Sequence, residues 1–300
     1  LYGIERLGKA VRSPAKDTLL SHASAHTGRG SAFGVHQALD QTGAMLGPLL
    51  LAAVLGWRDG DYRLAFAVLA IPGVLVLALL FWLRHRVPDP VVYEHNEPPT
   101  PAGDGAAADK DEGVGPGGLP ARFWQYAAAI AVLSCGIVSF PLLAYHAQTN
   151  GLLTDAQVPI LFAVAMFVDG TSGLVMGRIY DLRGPFTLLA VPVAAAASVL
   201  AFSQTVLWIW VGVAIWGVVN GVLDSTVKAV VTELVPSSSR AVAFGWLAFV
   251  RGAGLLIAGG LLGAAYDQST SLAVGLVLAA NLLALGGLAG ILRTLDRRQR

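Results

Sequence analysis

The sequence predicts an all-α, polytopic membrane protein built from two related groups of helices. Three observations carry that expectation. Hydrophobic residues make up 55% of the 300-residue chain, charged residues only 13%, and mean hydropathy is +0.64. A soluble domain carries charge on about a quarter of its residues. The apolar residues also fall in blocks of about 20, the length at which a helix crosses roughly 30 Å of hydrocarbon. Lastly, residues 29–54 are echoed at 240–265. At a constant offset of 211, Arg29, Ala32, Phe33, Gly34, Gly43, Leu50, Leu51 and Ala53 recur as Arg240, Ala243, Phe244, Gly245, Gly254, Leu261, Leu262 and Ala264. So long a period is foreign to solenoid units and suits parallel repeats of several membrane helices each. A whole first repeat would then need roughly 90 residues ahead of Leu1.

In chain order, residues 1–24 read as the polar end of a helix, and full spans are expected at 36–57, 62–83, 122–146, 156–180, 185–203, 206–234, 241–265 and 270–292. The first full span opens polar (His36, Gln37, Asp40) and turns apolar after Gly43. The second is apolar between Arg63 and Arg84. Residues 88–120 break the pattern with Pro, Gly, Ala and seven acids against Lys110 alone. Without periodic apolar residues this stretch is expected to be a disordered, acidic linker. The expected organisation is therefore a remnant bundle over 1–87, the linker over 88–120, and a six-helix bundle over 121–296.

Charge placement orients the chain. On the side of the linker lie Arg12, Lys16, Arg29, Arg84, Arg86, Arg122, Arg178, Arg183, Arg240 and Arg293, while the opposite loops carry Arg58 and Arg63. Cationic loops stay in the cytoplasm, so the linker and C-terminus are expected there and the protein in the plasma membrane. The net charge of +1 gives no reason to expect a nucleic-acid partner. Cys135 is the single cysteine, which excludes an internal disulfide.

Two motifs bring a resemblance. Gly34, Gly43, Gly47 and Pro48 match the fifth-helix signature G-x8-G-x3-G-P-x2-G of the major facilitator superfamily, with Leu51 at its last Gly. Gly177-Arg178-Ile179-Tyr180-Asp181-Leu182-Arg183-Gly184 is similar to that family's loop motif G-x3-D-R-x-G, with its Arg one place late. The stretch from Glu5 to Asp17 also resembles a bacterial branch of the superfamily. The resemblance covers the whole chain. It implies entry within the fourth helix, a linker joining two six-helix bundles, and transport tilted toward antiport.

The residues give their own reading. His36, Asp40, Gly43 and Gly47 share one helix face, as do Gly170, Gly173 and Gly177. Small residues at such spacing let two membrane helices approach closely. The spans at 36–57 and 156–180 are therefore expected to pack through Gly43/Gly47 and Gly173/Gly177. Gly252, Gly259 and Gly263 are expected to face no helix of the first bundle. Charged groups within spans face a partner or water. Asp40, Asp224, Asp169 and Glu5 are the candidate proton carriers, since burial favours the neutral form of a carboxyl group. Lys9, Arg12, His36, Gln37, Asn220, Lys228 and Arg251 are candidates for the solute path. Asp224 and Lys228, four residues apart, could instead staple one helix. Asp40 and Arg251 correspond across the repeat, acidic in one copy and basic in the other.

These features point to a secondary transporter of a small solute, working by alternating access on a proton gradient, with export by antiport ahead of organic-anion symport onto Lys9, Arg12 and Lys16. An inactive fragment is the further alternative. No nucleotide-binding loop appears, and no cofactor or metal is expected, the six histidines being scattered. Membrane lipid is the other expected partner. Gly170-Thr171-Ser172-Gly173 is similar to an intramembrane serine protease motif, but every histidine precedes Ser172, so an enzyme is disfavoured.

Overall fold

The computed structural model describes residues 2–24, 28–57, 62–86, 115–154 and 157–299. Among them, all regular structure is helical: α1 (Tyr2–Ala23), α2 (Arg29–Trp57), α3 (Tyr62–Arg86), α4 (Ala121–Cys135), α5 (Phe140–Thr149), α6 (Gln157–Arg183), α7 (Ala190–Ala197), α8 (Val206–Val222), α9 (Lys228–Leu234), α10 (Arg240–Gln268) and α11 (Thr270–Gln299). Seven described segments are long and apolar enough to cross a membrane. α2, which holds the expected span at 36–57, is 29 residues long, with His36, Gln37, Asp40 and Gln41 gathered ahead of an apolar run that begins at Ala44. The repeat survives in three dimensions: α2 and α10 are both 29 residues, beginning at Arg29 and Arg240 and ending at Trp57 and Gln268, 211 apart throughout.

Two spans are interrupted. The first breaks between α4 and α5 at Gly136–Ser139, ahead of Pro141. Carbonyls freed within apolar surroundings need donors. Asn281 supplies one to the Gly136 carbonyl at 2.9 Å, and Trp216 Nε1 supplies another to that of Val138 at 2.7 Å. The second interrupted span, Val206–Leu234, contains a π-helical turn over Leu223–Val227. The span at Pro185–Phe202 is helical in three pieces, with 3-10 turns flanking α7.

One large apolar cluster joins α4, α6, α8–α11 and Phe33 of α2, with Phe123, Tyr126, Ile130, Leu223 and Leu288 fully buried. By contrast, no residue of the apolar window in Phe66–Arg86 is buried by the chain, as expected of a helix facing lipid. Residues 87–114 lie outside the described residues. The last stretch of the expected disordered linker departs from that expectation: Pro116–Gly118 forms a 3-10 turn and Leu119 is fully buried. An apolar side chain at the threshold of α4 has core to enter, so the chain orders before Ala121.

Candidate functional site

α2 and α6 share the most extensive helix contact, and glycines make it. A Cβ on Gly30 or Gly177 would collide with the other residue's carbonyl, and one on Gly34 would stand 2.5 Å from the Gly173 carbonyl. Gly221 of α8 nests in turn against the Asp169 carbonyl and Ser172 Oγ. The expected pairing of α2 with α6 is therefore found, but its residues differ. Among the described residues, no atom lies within 4 Å of a Cβ position on Gly43 or Gly47. Gly34 lies on the face of α2 that meets α6, and Gly43, nine residues and two and a half turns farther on, points to the opposite face. The Pro48 side chain lies outside the description. Gly252, Gly259 and Gly263 of α10 also stand in open space, as expected.

At the Gly30 end several contacts tie the first helices to the later ones. Asp181 accepts hydrogen bonds from the backbone N–H groups of Gly30 (2.8 Å) and Ser31 (2.7 Å). These are orphan donors at the start of α2, where the helix dipole favours negative charge. Gly28 has φ of +90°, and a Cβ there would overlap the Asp181 carboxylate. Arg183 is exposed and Gly184, at φ +72°, faces open space, so neither takes part. Phe33 meets Phe244 with ring centroids 6.2 Å apart, and Tyr180 donates to Glu233. Lys228 donates to Asp17 at 3.2 Å.

The centre of the assembly holds a chain of polar side chains from four helical elements. Gln37 Nε2 donates to Asp169 Oδ1 at 2.8 Å and to Asp224 Oδ2 at 3.4 Å. Gln41 Nε2 donates to Asp169 Oδ2 at 2.9 Å, and Arg251 is paired with Asp224. Asp169 is 2% exposed, and among the described residues it meets amides but no cation. Asp224, by contrast, has a guanidinium.

This geometry corrects one expectation. Asp224 and Lys228 do not staple one helix. The π-turn between them adds a residue to the local turn, which sends Asp224 toward Arg251 and Lys228 toward Asp17. Asp40 lies on a face of α2 that the described residues leave uncovered, and the carboxyl group that the chain itself buries is Asp169. His36 is half-buried, and its Nε2 has no partner among the described residues. Asn220 turns back to the Trp216 carbonyl at 2.9 Å, and Arg12 is exposed. The side chains of Glu5 and Lys9, on α1, lie outside the description. Gly170 packs against Gln41 and Ala38. Ser172 donates to the Asp169 carbonyl at 3.0 Å, an ordinary helix-internal bond.

Sequence reasoning missed Gln41, Asp181 as a helix cap, and Asp17 as the partner of Lys228. Gln41 had a signal, standing one helical turn after Gln37.

The family profile of the Major Facilitator Superfamily matches residues 3–259. The chain belongs to that superfamily. Similar proteins include uncharacterized proteins of Mycobacterium tuberculosis and Mycobacterium bovis, each 43% identical over 282 residues, covering 94% of this chain and 67% of the relative. An uncharacterized MFS-type transporter of Methanocaldococcus jannaschii is 23% identical over 252 residues, covering 81% of this chain and 58% of that protein. As a member of the superfamily, the chain is a multi-pass membrane protein and a secondary transporter of small molecules rather than an enzyme.

Proposed function

We propose that this superfamily member moves its solute by alternating access driven by a proton gradient, with Asp169 as the proton carrier. One observation carries the reading: Asp169 is 2% exposed and held by two amides without a cation. An uncompensated buried carboxylate is costly, while a neutral carboxyl group is not, so the site has a reason to take up a proton. Asp224, neutralised by Arg251, has none. Helices within 1–87 and 121–296 act as the two moving bodies, and the contacts of Asp181, Phe33 and Asp17 close the passage at the Gly30 end. The cationic loops support reading that end as the cytoplasmic one, with the protein in the plasma membrane. The fifth-helix signature favours export by antiport.

The reading is tested in proteoliposomes that trap a pH-sensitive dye, challenged with a panel of small solutes. A solute that triggers proton flux only with the protein present supports it. Solute uptake of the same panel without any accompanying proton movement overturns it.

A further inference from the structure

We infer that Gln37 is a positioning residue that transmits the proton state of Asp169 to the Asp224–Arg251 pair, and so to the contact between the first helices and the later ones. This rests on the proton reading above. Gln37 is 4% exposed, and its side chain occupies the room left by Gly173, where an added Cβ would stand 3.1 Å from Gln37 Cγ. From that seat on α2 it reaches Asp169 on α6 and Asp224 in the π-turn at 2.8 and 3.4 Å. An amide nitrogen carries two hydrogens, and here each carboxylate receives one.

That arrangement needs Asp169 Oδ1 free to accept, and it is strongest while both acceptors are charged. A proton placed on Asp169 Oδ1 turns that oxygen into a donor, and Gln37 satisfies it by rotating its carbonyl oxygen into the place of its nitrogen. The carbonyl then faces Asp224 Oδ2, oxygen against oxygen, and the link to Asp224 is lost. A proton on Oδ2 is answered by Gln41 instead, but it leaves Gln37 bonded to a neutral acceptor. Bonds to a charged acceptor are about twice as strong as neutral ones. The first case breaks the tie from α2 to Asp224, whereas the second loosens Gln37 only at Asp169. Asp224 sits in a π-turn, a local distortion often found at functional sites, and holds Arg251 of α10. Gln41 bonds Asp169 alone, so protonation reaches the ion pair through Gln37.

The test uses the protein reconstituted in vesicles, with Cys135→Ser removing the native thiol and spin labels at Arg12 and Arg178, exposed positions on α1 and α6. Infrared spectroscopy follows the carbonyl band of a protonated buried carboxyl group across pH, and the label distance is read on the same samples. In the wild type the band titrates and the distance shifts with it; Asp169→Asn loses both. Gln37→Met keeps the titrating band and loses the distance shift. If Gln37→Met fails to insert, Gln37→Asn serves, since the shorter amide cannot reach both carboxylates. A distance that follows pH in these Gln37 variants as in the wild type, or that ignores pH in the wild type, overturns the inference alone. A wild type with no band that Asp169→Asn removes overturns the proton reading and the inference with it.

Discussion

Lys228 donates its ammonium group to Asp17 at 3.2 Å, and the two residues are 211 positions apart, the offset of the internal repeat. Phe33 and Phe244, in contact at 6.2 Å, obey the same offset. Equivalent residues of two repeats touch only where the axis relating the repeats passes between them. Both pairs therefore mark that axis near the Gly30 end, and the salt bridge joins unlike charges at like positions. Asp17→Asn and Lys228→Gln should each lower thermal stability in detergent. Their coupling in a double-mutant cycle should be on the order of 1–2 kcal/mol. Exchanging the two charges should recover most of it, whereas additive effects would show that the pair contributes nothing.

Gly177→Ala should destabilise by about 1–3 kcal/mol, because its Cβ meets the backbone of Gly30, which has no rotamer with which to yield. Gly47→Ala, in open space, should be neutral or stabilise by up to about 1 kcal/mol through helix propensity. Thermal unfolding of the two variants side by side separates them, and equal losses would contradict the contact.

Asp181→Ala should remove the cap on α2 at a cost of about 1 kcal/mol. Amide hydrogen exchange gives the local readout. The N–H groups of Gly30 and Ser31 should exchange faster, while those in the middle of α2 stay protected.

Arg251→Gln leaves Asp224 without its cation beside Asp169. The pair is partly exposed, at 19% and 26%, so the expected loss is about 2 kcal/mol, below that of a fully buried pair. Adding Asp224→Asn removes the uncompensated charge and should recover most of that loss, since the members of one ion pair couple rather than add. Failure to restore would mean that Arg251 acts through another group.

The spans were legible because lipid imposes length and composition directly, and α2 with α10 appear at the offset the repeat sets. The site was legible in part. Asp169, Asp224, Gln37 and Arg251 stand out as polar groups in apolar runs, and the structure brings them together. What sequence could not supply was direction. Gly34 and Gly43 lie on opposite faces of α2, nine residues apart, and only the structure tells that the Gly34 face is the one that meets α6. The register change between Asp224 and Lys228 comes from a π-turn, which regular helical spacing cannot foresee. Asp40 and Asp169 are both acids in expected membrane spans, and only packing tells which one the chain itself buries.

The most direct test of the central claim is transport by Asp169→Asn, normalised to membrane-inserted protein, using whichever panel solute moves protons with the wild type. The amide keeps the side chain's size, and bonds both Gln37 and Gln41 once one of them turns its carbonyl oxygen to the new amide N–H, but it cannot cycle a proton. The variant should lose accumulation driven by an imposed pH gradient while retaining solute exchange at equal pH, and Asp40→Asn should keep both. Accumulation by Asp169→Asn that follows the pH gradient as the wild type does would contradict the account.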